Sequence, residues 1–179
     1  AGAEITGREG AFGCDLVLKV RAPQPTELAL MKPGTALVGM LNPFDAEGLM
    51  RLAAADLTAF ALEAAPRTTR AQSMDVLSSQ ANIAGYKAVL LGAAELARLM
   101  PMLTTAAGSI TPAKTFVLGA GVAGLMAIAT ARRLGAVVSA FDIRPAAREQ
   151  VQSLGASFVA SEQVAAGAET AGGYAKEQS

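Results

Sequence analysis

The stretch KTFVLGAGVAGLMAIATARRLGAVVSAFDIR, residues 114–144, constrains the fold more than any other part of this chain. Residues 115–118 are a short β-branched and apolar run, the pattern of a buried strand. GAGVAG follows at once, with glycines at Gly119, Gly121 and Gly124. Residues 125–134 have helical composition, carry Arg132 and Arg133 in the last turn, and stop at Gly135. Residues 137–141 read as a second buried strand with Asp142 at its C-terminal end. An acid about 20 residues beyond the glycines completes the strand–turn–helix–strand context of a dinucleotide-binding unit.

Each residue type in that unit has a physical reason. Gly119 permits the tight turn out of the strand, and a side chain at Gly121 would block backbone approach to a pyrophosphate. Gly124 lets the helix pack closely on the strand. The helix N-terminus offers unpaired N–H groups and partial positive charge to phosphates. Asp142 can accept hydrogen bonds from both ribose hydroxyls of an adenosine. Two plainer readings stand beside this one. The turn can be a bare β–α connection with no ligand. The uncharged run 115–131 can be weighed as a membrane helix, against which its three glycines, its length and the apolar strand after it all argue.

Composition narrows the class. The chain is rich in Ala, Val, Leu and Gly, lacks Trp and has few aromatics, which suits helices packed on parallel strands. Formal net charge is zero, so nothing points to nucleic acid or an anionic membrane surface. The single cysteine, Cys14, excludes an internal disulfide and reads as a small core residue beside a strand, because no histidine exists to activate it. One cysteine and no histidine leave no zinc site, and no metal is expected.

In chain order, residues 15–20 read as a strand, 22–25 as a Pro-rich turn, and Thr26 as the cap of a short helix to about 30. A turn at 32–34, a strand at 35–41, a helix at 45–55 capped by Asp45, and a strand at 58–62 follow. Lys19 and Arg21, near a strand end, are either solvated or placed for an anion. A long helix capped by Ser78 or Ser79 then runs through Tyr86 to about Met100, ended by Pro101 and the 108–112 stretch. The polar loop 67–75 ahead of it is either a solvated helix start or a functional loop on a rigid scaffold. The expected fold is α/β: a Rossmann-like dinucleotide-binding domain and a second α/β domain, joined by a long helix. The expected divisions are a partial N-terminal domain at 1–66, a loop and linker helix at 67–113, and a partial nucleotide domain at 114–179. The two β–α regions are expected to flank a cleft, with the glycine turn and the 67–75 loop facing each other. No initiator Met opens the chain, and the space after 114 is short for a doubly wound domain, so both domains are expected to be incomplete pieces of a longer protein.

APRTTRAQSMDVLSSQANIAGYKAV, VLGAGVAGLMAIATARRLGAVVSAFDIRPAAREQVQSLGASF and AGGYAKE together resemble the NAD(H)-binding component, domain I of the alpha subunit, of proton-translocating NAD(P)+ transhydrogenase. The relatives include alanine dehydrogenase. The resemblance is dense from Pro66 to Phe158, and RTTRAQSMD is its specific portion. It implies that Arg67, Gln72, Asp75 and nearby Ser78 hold the nicotinamide and its ribose, with Thr68, Thr69, Ser73 and Met74 in the same cofactor-binding loop. The glutamine would reach toward NADP(H) on a partner component. It implies that Gly119, Ala120, Gly121, Val122 and Gly124 form the pyrophosphate turn, that Asp142, Ile143 and Arg144 meet the adenosine ribose, and that Gly173 and Tyr174 begin a mobile loop that closes over the nucleotide.

The activity so implied is hydride transfer between NADH and NADP+, with NADP(H) on a partner component and proton movement in a membrane component. A homodimer, attached to the cytoplasmic side of the bacterial inner membrane through its partners, is implied with it, and the piece alone is expected to be inactive. Two alternatives stand beside this activity. An alanine dehydrogenase would need a lysine and a histidine in the first domain; Arg21 stands near the lysine's place and Asn42-Pro43 near the histidine's. A non-catalytic NAD-binding module is the other.

Overall fold

The structure is a computed structural model and describes residues 2–66 and 68–159. These divide between Leu77 and Ser78 into two compact units. In the first, α1 (Arg8–Phe12), β1 (Leu16–Arg21), α2 (Pro25–Leu28), β2 (Ala36–Met40), α3 (Ala46–Ala54) and β3 (Thr58–Ala61) follow in order. The strands pair parallel as β1-β2-β3. Parallel neighbours need crossovers, and the segments carrying α2 and α3 provide them. Val17 and Leu37 bury one sheet face with Met31, Leu41 and Leu52. Leu16, Leu18, Val20 and Phe60 are exposed, as the alternation of strand side chains requires for β1. Two 3₁₀ turns, Leu62–Ala64 and Thr69–Met74, follow β3.

Local details of this unit differ from the sequence expectation. α2 starts at Pro25 with Gln24, not Thr26, at the cap. Proline fits the first helical position, and the Gln24 amide donates to Glu27 Oε2 at 2.7 Å. Glu27 also pairs with Lys19 at 3.0 Å and Arg8 at 3.4 Å, so Lys19 is ion-paired and only partly exposed rather than fully solvated. The Gln24 amide first, then Lys19, hold the Glu27 carboxyl below its ordinary pKa. Asp45 does precede α3, but its carboxylate makes no cap bond and instead lies 3.7 Å from Arg51. Cys14 is exposed, not in the core, because it sits in the turn between α1 and β1 and donates to the Gly10 carbonyl.

In the second unit lie α4 (Val76–Glu95), which opens at the division, β4 (Leu103–Thr105), β5 (Gly108–Ile110), β6 (Lys114–Leu118), α5 (Val122–Arg133), β7 (Val137–Phe141), α6 (Ala147–Ser153) and β8 (Ser157–Phe158). α4 begins before Ser78 and ends well before Met100. Beyond it, where the sequence suggests only the end of a helix, β4 and β5 form an antiparallel hairpin. Thr104 and Ser109 hydroxyls meet across the hairpin at 3.0 Å. Tyr86, within α4, is half exposed. The main sheet is parallel in order β6-β7-β8. Its core is mostly alanine, with Ile128, Val138 and Val151 as the larger members. Such small side chains let α5 and α6 lie close on the strands. This is the Rossmann-like α/β arrangement expected for the stretch.

Candidate nucleotide site

The site is assembled where β6 turns into α5. Gly119 leaves the strand at φ +89°, a conformation L side chains rarely adopt. Its amide donates to the Phe141 carbonyl at 2.8 Å, tying the ends of the two strands. Ala120 is fully buried. Gly121 takes the N-cap position, and no side chain caps the helix. The Leu125 amide donates to the Gly121 carbonyl at 2.8 Å, so the amides ahead of Leu125 have no intrahelical acceptor. They are oriented donors at the positive end of the helix dipole.

The glycines differ in what surrounds them. A Cβ at Gly124 would collide with the Gly119 carbonyl, so α5 rests on the turn at a separation only glycine allows. A Cβ at Gly121 would meet nothing within 4 Å. Its absence therefore serves no packing need inside the protein, and the space beside it is open. Gly85, the buried residue of α4, has its Cβ position against the Ala123 carbonyl, so α4 bears directly on the first turn of α5. Sequence reasoning does not reveal that contact; a glycine within a helical pattern is its only signal.

Asp142 is 6% exposed at the end of β7. Its Oδ2 accepts from the Ala120 amide at 2.7 Å and from Arg144 Nη2 at 3.0 Å. Its Oδ1 accepts from the Arg144 amide at 2.8 Å and from Arg144 Nε at 3.0 Å. Arg144 thus turns back onto the acid. Burial alone would raise the Asp142 pKa, but the Arg144 side chain, then the Arg144 and Ala120 amides, outweigh it and hold the carboxyl below the ordinary aspartate value. Ile143, between them, is half-buried. Ala120, Gly121, Val122, Asp142 and Arg144 are therefore brought together.

Of the expected loop residues, Thr68 stands just ahead of the 3₁₀ turn Thr69–Met74, which carries Thr69, Gln72, Ser73 and Met74, all exposed. Asp75 follows the turn and Ser78 lies in α4, both partly buried. Arg67, Gly173 and Tyr174 lie outside the described residues. At the C-terminal end of β2, Glu63 accepts the amides of Leu41 at 3.1 Å and Asn42 at 2.6 Å. Asn42 there has φ 54°. Nothing local to Glu63 in the sequence signals this role.

Two family models match nearly the whole chain: the alanine dehydrogenase/PNT N-terminal domain over residues 1–84 and the C-terminal domain over residues 88–176. The chain belongs to the alanine dehydrogenase/PNT family. Within it, the chain is 50% identical to an NAD(P) transhydrogenase subunit alpha protein of Rhodospirillum rubrum, over 99% of this chain and 48% of that protein. A solved transhydrogenase from Sinorhizobium meliloti superposes with a TM-score of 0.85 at 56% identity, covering 89% of this chain and 48% of the other. A solved L-alanine dehydrogenase gives a TM-score of 0.72 at 28% identity, over 86% and 44% of the two chains. The chain spans about half the length of the curated relatives it matches. Among the described residues, no helix is long and apolar enough to cross a membrane.

Proposed function

We propose that this chain belongs to the NAD(H)-binding component of a proton-translocating NAD(P)+ transhydrogenase. The observation that carries the proposal is the open, uncapped glycine turn at Gly121 beside the buried carboxylate of Asp142. That arrangement fits a dinucleotide: amides for the pyrophosphate, an acid for the adenosine ribose, and a helix packed tightly enough to bring both near one ligand. The name of the Rhodospirillum rubrum relative extends it to transhydrogenation.

When bound, the nicotinamide supplies the hydride chemistry. Hydride transfer needs no acid or base from the protein, so the work of this chain is positioning and exclusion of water. Arg67, Gln72, Asp75 and Ser78 orient the nicotinamide and its ribose, with Thr68, Thr69, Ser73 and Met74 lining the same loop. Gly119, Ala120, Gly121, Val122 and Gly124 hold the pyrophosphate. Asp142 and Ile143 hold the adenosine ribose, and Gly173 and Tyr174 add to the nucleotide site. NADP(H) sits on a partner component, and a membrane component moves the proton. The chain acts as a homodimer at the cytoplasmic side of the bacterial inner membrane.

The test is hydride transfer from NADH to an NADP+ analogue by the full-length protein, with and without its NADP(H)-binding partner. Transfer that requires the partner supports the proposal. NADH binding without transfer in the complete assembly rejects it in favour of a non-catalytic NAD-binding module. Alanine-dependent reduction of NAD+ without a partner rejects it in favour of an alanine dehydrogenase, a reading that the lack of any histidine in this chain weakens.

A further inference from the structure

We infer that Arg144 is a latch on the nucleotide site, whose guanidinium occupies the acceptor positions of Asp142 that the adenosine ribose needs, so that binding requires Arg144 to rotate away. This rests on Asp142 being the ribose acceptor, as proposed above.

A carboxylate has about four lone-pair positions. At Asp142 each oxygen accepts one backbone amide, Ala120 on Oδ2 and Arg144 on Oδ1. Each oxygen also accepts one guanidinium N–H, Nη2 on Oδ2 and Nε on Oδ1. The four positions are therefore filled. A ribose diol presents two adjacent donors to such an acid, as the arginine fork does. The two amide bonds belong to backbone that is fixed by the strand ends. The two guanidinium bonds belong to a side chain 16% exposed, which can turn toward solvent. Rotation of Arg144 frees one position on each oxygen, which is the number and placement a vicinal diol uses.

The latch also protects the unliganded site. A buried carboxylate without a partner is costly, and the fork supplies charge and hydrogen bonds until ribose replaces the hydrogen bonds.

Competition of this kind lowers apparent affinity in proportion to the closed fraction. A site open one-tenth of the time binds about tenfold more weakly than one always open. In the full-length protein, Arg144→Ala and Arg144→Lys both lose the fork, and Lys keeps the charge. Both are expected to bind NADH about three- to tenfold more tightly than wild type, with unchanged thermal unfolding of the liganded protein. In wild type labelled with ¹⁵N-arginine, the Arg144 Nε–H resonance is expected to be protected from exchange without nucleotide and to lose protection when NADH saturates the site. Weaker NADH binding by both variants, or protection that persists in the complex, would overturn the latch. Tightening by Ala alone would replace it with simple charge neutralisation. Asp142→Asn placed in the Arg144→Ala background, where no latch remains, separates the underlying assumption: NADH affinity equal to that of Arg144→Ala alone removes Asp142 as ribose acceptor, whereas a loss there with no gain of Arg144→Ala over wild type removes only the latch.

Discussion

The Ala120 amide donates to the Asp142 carboxylate at 2.7 Å across 22 residues of sequence. The acid at the end of β7 therefore fixes the backbone of the glycine turn at the end of β6, besides whatever it does for a ligand. Substitution at Asp142 must disturb the turn and the ribose position together. Asn is the gentlest choice, since its carbonyl oxygen can keep the Ala120 bond.

The lowered pKa of Asp142 sets a pH dependence. A carboxyl with a depressed native pKa contributes stability that is fully present above its unfolded-state value of about 3.9 and is lost as pH falls through the lower native value. The wild-type protein is expected to unfold at higher temperature than Asp142→Asn at neutral pH, and the gap should close as pH falls below about 4. Calorimetric scans from pH 7 to 3 check it; a gap that widens toward acid would contradict the assigned direction.

Gly124 and Gly121 are expected to respond oppositely to alanine. At Gly124 the new methyl meets the Gly119 carbonyl, so Gly124→Ala should destabilise the protein by about 1–3 kcal/mol in chemical denaturation. At Gly121 the methyl meets open space, so Gly121→Ala should unfold like wild type while weakening NADH binding by at least about tenfold. Equal stability losses at both positions would show that Gly121 serves packing and not ligand approach.

Gln72→Asn in the full-length protein should slow hydride transfer far more than it weakens NADH binding. Gln72 is exposed on the 3₁₀ turn Thr69–Met74, so the shorter side chain leaves the fold intact. Displacing a positioning contact by about 1 Å can cost on the order of 100-fold in rate. Stopped-flow transfer rates equal to wild type would remove Gln72 from the reaction.

NADH should bind in preference to NADPH, and Asp142→Asn should narrow the preference. Two like charges about 4 Å apart repel by about 4 kcal/mol at a partly screened site, but the positive charge of Arg144, two residues from the acid, offsets some of that repulsion. The discrimination is therefore expected nearer about tenfold than several hundred-fold. Titration of both nucleotides against wild type and variant measures it, and equal wild-type affinities would show that Asp142 does not set the choice.

The sequence by itself determined the parallel α/β character of both units, the strand–turn–helix of residues 114–133 and the place of Asp142 at a strand end. These follow from local rules: alternating or continuous apolar runs, helix stops, and backbone shapes at Gly119 and Gly135 that only their own residues can satisfy. Residues 96–112 were less legible: nothing before Pro101 marks the end of α4 at Glu95, and the three-residue, fully exposed strands of the β4–β5 hairpin beyond it carry no buried face to give a strand pattern. Tertiary structure alone decided the rest. Arg144 points at Asp142, Lys19 at Glu27, Glu63 at the amides of Leu41 and Asn42, and Gly85 at Ala123. Apart from the Arg144 pair and Lys19–Glu27, those partners are more than twenty residues apart along the chain. Even for Arg144, direction depends on where the strand ends and which acid is already buried there. A charged side chain follows the nearest desolvated partner, and only packing determines which partner that is.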